Sequence, residues 1–339
     1  MNAQAFIDAG LHYIPHTFSV PLDYSDPAQG QIDIFAREVS LVEDKNSSKP
    51  WLVYFQGGPG FPSPRQNGNN GWIKRALQNY RVLLLDQRGT GNSSVVNHQT
   101  LAHLQPQQQA EYLSHFRADN IVRDAEFIRE QFGVDKWAIL GQSFGGFCSL
   151  TYLSLFPDSL SRSYITGGVP SVSRHPDDVY RATFKRTMEK NQAFFNQFPK
   201  AQQLCQKIAD HLLQNEEFLP NGQRFTVEQF QQIGINFGVS DTFLPTYYLL
   251  ENAFITVNGK PQLRYEFLNS MLMEQNFQTN PIYAILHESI YCQGFASEWS
   301  AHRVRQDHQA FNYQSGQPFY FTGEMVFPWK FDQYVTLKP

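Results

Sequence analysis

The residues Gly141-Gln142-Ser143-Phe144-Gly145-Gly146 read G-x-S-x-G, a spacing that can present a serine hydroxyl as a nucleophile. That chemistry needs a strand, a sharp turn and a helix, so that the Oγ stands at the top of a parallel sheet. The flanks supply both elements. Lys136-Trp137-Ala138-Ile139-Leu140 has the pattern of a buried strand, and Phe147-Cys148-Ser149-Leu150-Thr151-Tyr152-Leu153 reads as a helix. The small residues let the turn close without a Cβ clash. Attack on a carbonyl also needs donors for the developing oxyanion. Gln56-Gly57-Gly58-Pro59-Gly60 directly follows an apolar run. Its glycines would let the backbone N–H of Gly57 or Gly58 approach a substrate closely, with Phe144 N–H as the second donor.

The elements that must position these groups follow from hydrophobic pattern. Residues 31–39 alternate with period two and predict a strand. Trp51–Phe55 and Arg81–Leu85 are continuous apolar runs, as in strands covered on both faces of a parallel sheet. Residues 72–78 between them suit a short helix. Asp119 is placed to cap a helix carrying Ile121, Val122, Ala125, Ile128 and Phe132, with Gly133 ending it. A further strand is expected around residues 163–166. This alternation implies an α/β fold with a mostly parallel sheet. From about 177 to 308 helical patterns dominate, with Thr226 and Gln229 forming a capping-box pair. Such a block, inserted between strands, reads as a lid over the strand ends. Residues 317–322 then read as a return strand. The expected organisation is a core over 1–170, a helical lid over 171–310 and a return strand of the core within 311–339.

Composition excludes several classes. Hydrophobic residues at 41% against 17% charged allow a packed core. A net charge of −4 argues against a nucleic-acid partner. Cys148, Cys205 and Cys292 are odd in number and lack metal spacing, which fits buried thiols in a reducing compartment. The N-terminus has no basic, apolar leader pattern, and no stretch is long and apolar enough to span a bilayer, so a cytoplasmic location is expected. No metal or organic cofactor is implied.

Gly57-Gly58-Pro59-Gly60, then Asp86-Gln87-Arg88-Gly89-Thr90-Gly91, then the Ser143 motif, in this order, resemble the proline iminopeptidase (prolyl aminopeptidase) family of α/β-hydrolase serine peptidases. The resemblance continues through residues 280–291 and 323–329, and so covers nearly the whole chain. Gln56 departs from it, standing where many members carry His. The resemblance implies release of N-terminal proline from peptides, with Ser143 as nucleophile, Gly57 or Gly58 with Phe144 as oxyanion donors, and lid glutamates that bind the free α-amino group. Glu288 is the first candidate for that role and Glu251 the second. Asp86 and Arg88 are read as structural.

In this fold the triad runs Ser, then Asp or Glu, then His. The resemblance ends before the strands that carry the acid and the base, so the last strands are expected to be absent, neither partner is assigned, and the activity of the chain alone stays open, since a serine without a base is a weak nucleophile. His175, His211, His287, His302 and His308 follow Ser143 but fall in the expected lid or just before the last expected strand. Two alternatives stay open: a catalytically silent α/β-hydrolase remnant that binds peptides or small apolar ligands, and an esterase on the same elbow. An early sheet end also implies an exposed edge, and with it self-association or a separate C-terminal fragment as partner.

Overall fold

The computed structural model describes residues 4–44 and 47–338. Met1–Ala3, part of the N-terminal stretch read above, lie outside the described residues, as do 45, 46 and 339. The chain divides into two compact units, one formed by 1–172 with 280–290, the other by 173–279 with 291–338.

The first unit is built on a seven-stranded sheet. Its strands are β1 (Phe6–Asp8), β2 (Leu11–Pro21), β3 (Gln31–Leu41), β4 (Trp51–Phe55), β5 (Arg81–Leu85), β6 (Trp137–Gln142) and β7 (Leu160–Thr166). Their spatial order is β1-β2-β3-β5-β4-β6-β7. The β1–β3 segment is an antiparallel meander, and β5, β4, β6 and β7 run parallel. The apolar runs divide by parity. Val53, Phe55, Leu83 and Leu85 face one core, which includes Trp137, Cys148 and Tyr152. Leu52, Tyr54, Val82 and Leu84 face the other, closed by Ile73 and Leu77. This double burial is the reason the strands read as unbroken hydrophobic stretches. Chain order steps from β4 to β5 on one side and then to β6 on the other. The carboxyl ends of β4 and β6 therefore form the switch point at which open α/β sheets bind ligands. Phe55 pairs with Gly141 there, and Gln142 pairs with Thr166 of β7.

The helix expected after Asp119 spans Ala118–Gln131, but its N-cap is Arg117 and Asp119 lies inside the first turn. An acidic residue there complements the helix dipole without capping it. Gly133 ends the helix in a left-handed conformation, φ +63°.

The second unit is mainly helical, led by Pro176–Gln197 and Pro199–Gln214. It also carries two short hairpins, Glu217–Phe218 with Arg224–Phe225 and Phe254–Val257 with Lys260–Leu263. Thr226 caps Val227–Gln232, its side chain accepting from Gln229 N. Two expectations need correction. Residues 317–322 form no strand and do not return to the sheet. Phe319 and Phe321 instead fill the core of the second unit. Their backbone is bonded by side chains: Phe321 N donates to Asn191 Oδ1 (2.8 Å), and Gln231 Nε2 donates to Tyr320 O (2.8 Å). An extended segment satisfied in this way has the alternation of a strand without a ladder. Residues 280–290, placed in the lid by sequence, pack within the first unit. There Ile282 and Leu286 join Val96, Leu101, Leu113 and Phe116. Among the described residues, no helix is long and apolar enough to cross a membrane.

Candidate active site

Ser143 sits between the end of β6 and the helix Phe144–Leu155, with φ 53° and ψ −118°. A non-glycine residue rarely adopts this conformation, because its Cβ crowds the neighbouring carbonyls. The turn is held from both sides: Ser143 N donates to Thr166 O (2.9 Å), and Gly146 N donates to Ser143 O (2.8 Å). Gly145 is required by proximity, since a Cβ there would collide with the Phe55 carbonyl of β4. The result is an exposed serine flanked by buried Gly141 and Phe144. Phe144 N–H opens a twelve-residue helix, so the positive end of the helix dipole lies beside the hydroxyl. One turn further on, Cys148 is fully buried, and burial pushes its thiol pKa up, which leaves it inert.

The Gly57–Gly60 loop leaves β4 next to this elbow. A Cβ on Gly57 would stand 2.9 Å from Ser143 Cβ and 3.5 Å from its Oγ. The first glycine of the loop thus touches the serine, and its lack of a side chain leaves room for a reacting carbonyl. The next strand's loop pins this arrangement. Gln87 Nε2 donates to Gln56 O (3.0 Å). Asp86, fully buried, accepts from Ser63 N (3.0 Å) and from Arg65 Nη1 (2.8 Å) and Nη2 (2.5 Å). Arg88 forks onto Asp124 (2.8 and 2.6 Å) and donates to the Leu22 and His115 carbonyls. Gln87 and Asp86 thus hold the chain before and after the glycine loop, while Arg88 ties its own loop to Asp124 and to the carbonyls of Leu22 and His115.

Sequence reading passed over a further group. Tyr54 of β4 places its hydroxyl 3.0 Å from Gln56 Oε1 and 2.7 Å from Gln142 Oε1. A phenol has one hydrogen, so it donates to one amide and accepts an N–H from the other in its flipped orientation. Burial raises the Tyr54 pKa, which keeps it a neutral donor. Tyr54 therefore ties together the two residues that precede Gly57 and Ser143. No pattern in the sequence marks it, because it reads as one more core aromatic.

The remaining candidates separate. Glu288 is 7% exposed and follows the helix Pro281–Leu286 in the first unit, not in a lid. That helix rests on the glycine loop. A Cβ on Gly60 would stand 2.8 Å from Tyr283 N, and the Phe61 and Tyr283 rings meet edge to face at 5.1 Å. Tyr283 in turn meets His287 at 5.3 Å. Glu251 is exposed at the end of Phe243–Glu251 in the second unit, where its carboxylate lies near Tyr247 and raises the pKa of that phenol. Of the histidines after Ser143, His175 Nδ1 accepts from Asp177 N (3.2 Å), and His211 Nε2 is 2.6 Å from Glu217 Oε1. His308 stacks on Phe184 at 4.8 Å, and His302 is exposed. Among the described residues, no histidine or carboxylate hydrogen-bonds the Ser143 hydroxyl. None forms a group of three or more His, Cys, Asp or Glu side chains fit to hold a metal.

A strained, exposed serine at a strand–helix turn, touching a glycine loop at the sheet's switch point, is the arrangement the α/β-hydrolase elbow requires. The α/β hydrolase fold model matches residues 50–330. A proline iminopeptidase of Aeromonas sobria is 55% identical over 332 residues, covering 97% of this chain and 77% of that protein. A proline iminopeptidase of Aspergillus aculeatus is 33% identical over 335 residues, covering 95% of this chain and 73% of its own length. With matches at this identity covering 97% and 95% of its length, the chain belongs to the proline iminopeptidase family of the α/β hydrolases.

Proposed function

We propose that this protein is a serine aminopeptidase that releases proline from the free N-terminus of peptides, with Ser143 as the nucleophile. The observation that carries the reading is the exposed Ser143 at φ 53° in contact with Gly57. In this scheme Ser143 Oγ attacks the carbonyl carbon of the N-terminal proline. The carbonyl oxygen becomes an oxyanion facing the N–H of Phe144 and the N–H of Gly57 or Gly58. Collapse breaks the C–N bond to the second residue, and the departing amine takes up the proton that the Ser143 hydroxyl gave up on attack. A prolyl ester on Ser143 remains, and water hydrolyses it to free proline and the serine hydroxyl. Because the loop atoms are backbone, substitution of Gln56 for His alters the support of the loop and not the donors themselves.

Glu288 is the residue we assign to the substrate's charged amine. A buried carboxylate is a strong partner for an ammonium group, whereas the exposed Glu251 is already solvated. The position of Glu288, on the segment that rests on the Gly57–Gly60 loop, supports this choice. Such a contact rejects blocked N-termini, because the carboxylate would then be left without its cation.

The test compares proline arylamide, N-acetylproline arylamide and a simple aryl ester, using the unaltered protein, Ser143→Ala and Glu288→Gln. Turnover of the free-amine arylamide is expected to vanish in Ser143→Ala. Glu288→Gln should lower kcat/KM for that substrate about 10- to 100-fold, the worth of one charge-assisted hydrogen bond. Equal turnover of blocked and free substrates would refute the amine anchor. Preference for the ester, with no amide hydrolysis, would refute the peptidase reading and favour an esterase.

A further inference from the structure

The second unit contains a cleft of about 350 Å³ lined in part by Arg224, Glu228, Arg305 and Asn312. Arg305 closes the helix Ser300–Arg305. Its Nη2 donates to Phe311 O (2.7 Å), and its guanidinium lies 5.0 Å over the Phe327 ring. Its Nε is buried with no acceptor. Among the described residues no carboxylate comes within 4.0 Å of this cation, and no cation comes within 4.0 Å of Glu228. Partly buried arginine is ordinarily paired, so an uncompensated guanidinium beside a cavity is unusual. Glu228 and Arg305 line the same cleft without forming an ion pair; burial disfavours the arginine's charge and the field of Glu228 favours it. Arg224 adds little, because Glu216 holds it at 3.2 Å. The hydrogen-bonding groups deeper in the cleft are already used: Gln231 donates to the Phe311 and Tyr320 carbonyls, and Thr226 donates to Gln333.

Two opposite charges therefore face one cleft without touching. Phosphate would meet Glu228, and a simple cation would meet Arg305. A small ligand carrying both charges satisfies both groups at once. We propose that this cleft binds a free α-amino acid as its zwitterion, the carboxylate on the Arg305 guanidinium and the ammonium on Glu228. The inference does not depend on the reading of Ser143. If that reading holds, the released product belongs to the class of ligand this cleft takes, and the site would report product accumulation.

Calorimetric titration of the whole protein with glycine tests the proposal, with acetate, methylammonium and inorganic phosphate as separate arms. Glycine is expected to bind saturably, with acetate and methylammonium each at least tenfold weaker. Glu228→Gln, whose carboxylate makes no hydrogen bond among the described residues, should lose at least tenfold for glycine and leave acetate unchanged. Arg305→Gln should abolish both. Arg305→Lys, which keeps the charge, checks that the loss is not unfolding. Glycine affinity unchanged in Glu228→Gln, or phosphate or acetate binding as tightly as glycine, would overturn the proposal in favour of a plain anion site or of binding elsewhere.

Discussion

Replacing Ser143 by glycine should make the protein more stable, although it removes the proposed nucleophile. Ser143 holds φ 53° and ψ −118°, a region that costs a residue with a Cβ about 1–3 kcal/mol. Glycine enters it freely but loses about 0.5–1 kcal/mol in chain entropy. The Ser143 hydroxyl makes no hydrogen bond among the described residues, so its removal subtracts nothing further. The net expectation is a gain of about 1 kcal/mol, or about 2–4 °C in Tm for a cooperative unit of 150–250 residues. Ser143→Ala keeps the Cβ and therefore the strain, and should fall within about 0.5 kcal/mol of the unaltered protein. Thermal and urea unfolding of the three proteins at one pH would measure this. If Ser143→Gly is no more stable than Ser143→Ala, the elbow is not strained and the reasoning fails.

Three other expectations concern the scaffold. Gly145→Ala drives a Cβ into the Phe55 carbonyl and should cost about 3 kcal/mol or more, read by urea unfolding. Burial pushes the Glu126 carboxyl up, but hydrogen bonds from Arg129, Tyr152 and Ser159 outweigh that and hold its pKa below the usual 4.5. Its stabilisation is therefore complete above pH 4.5 and is lost as pH falls through the lower folded value. Glu126→Gln should be less stable at neutral pH and show a flatter stability profile in acid. Lys330 is fully buried, with Nζ 2.5 Å from Gln232 Oε1 and 3.3 Å over the Phe277 ring, and burial takes its pKa well below 10.5. The unfolded chain then binds the proton more readily, so stability should rise from pH 7 toward 10. Lys330→Met should remove that slope, as urea titrations at both pH values would reveal.

The elbow was legible because its chemistry requires small residues at fixed offsets between two apolar runs, and each of those features is local. The same holds for β4 and β5, whose unbroken hydrophobicity reflects burial on both faces. What the sequence concealed depends on partners distant in the chain. Phe319 and Phe321 alternate like strand residues, yet their backbone is satisfied by the Asn191 and Gln231 side chains in a helical unit. The helical pattern of its neighbours places Glu288 in a lid. Its place in the first unit comes instead from Ile282 packing among Val96, Leu101 and Phe116, and from Tyr283 meeting the glycine loop. Tyr54 carries no signature at all, and Gln87 is marked only as a member of the Asp86–Gly91 motif, with no sign of its bond to Gln56 O. They matter only because the sheet order brings β4, β5 and β6 side by side.

The central claim is that the carbonyl of an N-terminal proline is transferred to Ser143. Peptide mapping by mass spectrometry, after incubation with a proline-derived phosphonate ester that reacts with activated serines, tests it most directly. The account expects a single adduct on the peptide containing Ser143, absent in Ser143→Ala and reduced when the probe's amine is acetylated. An adduct on another residue, or none in a folded sample, would contradict it.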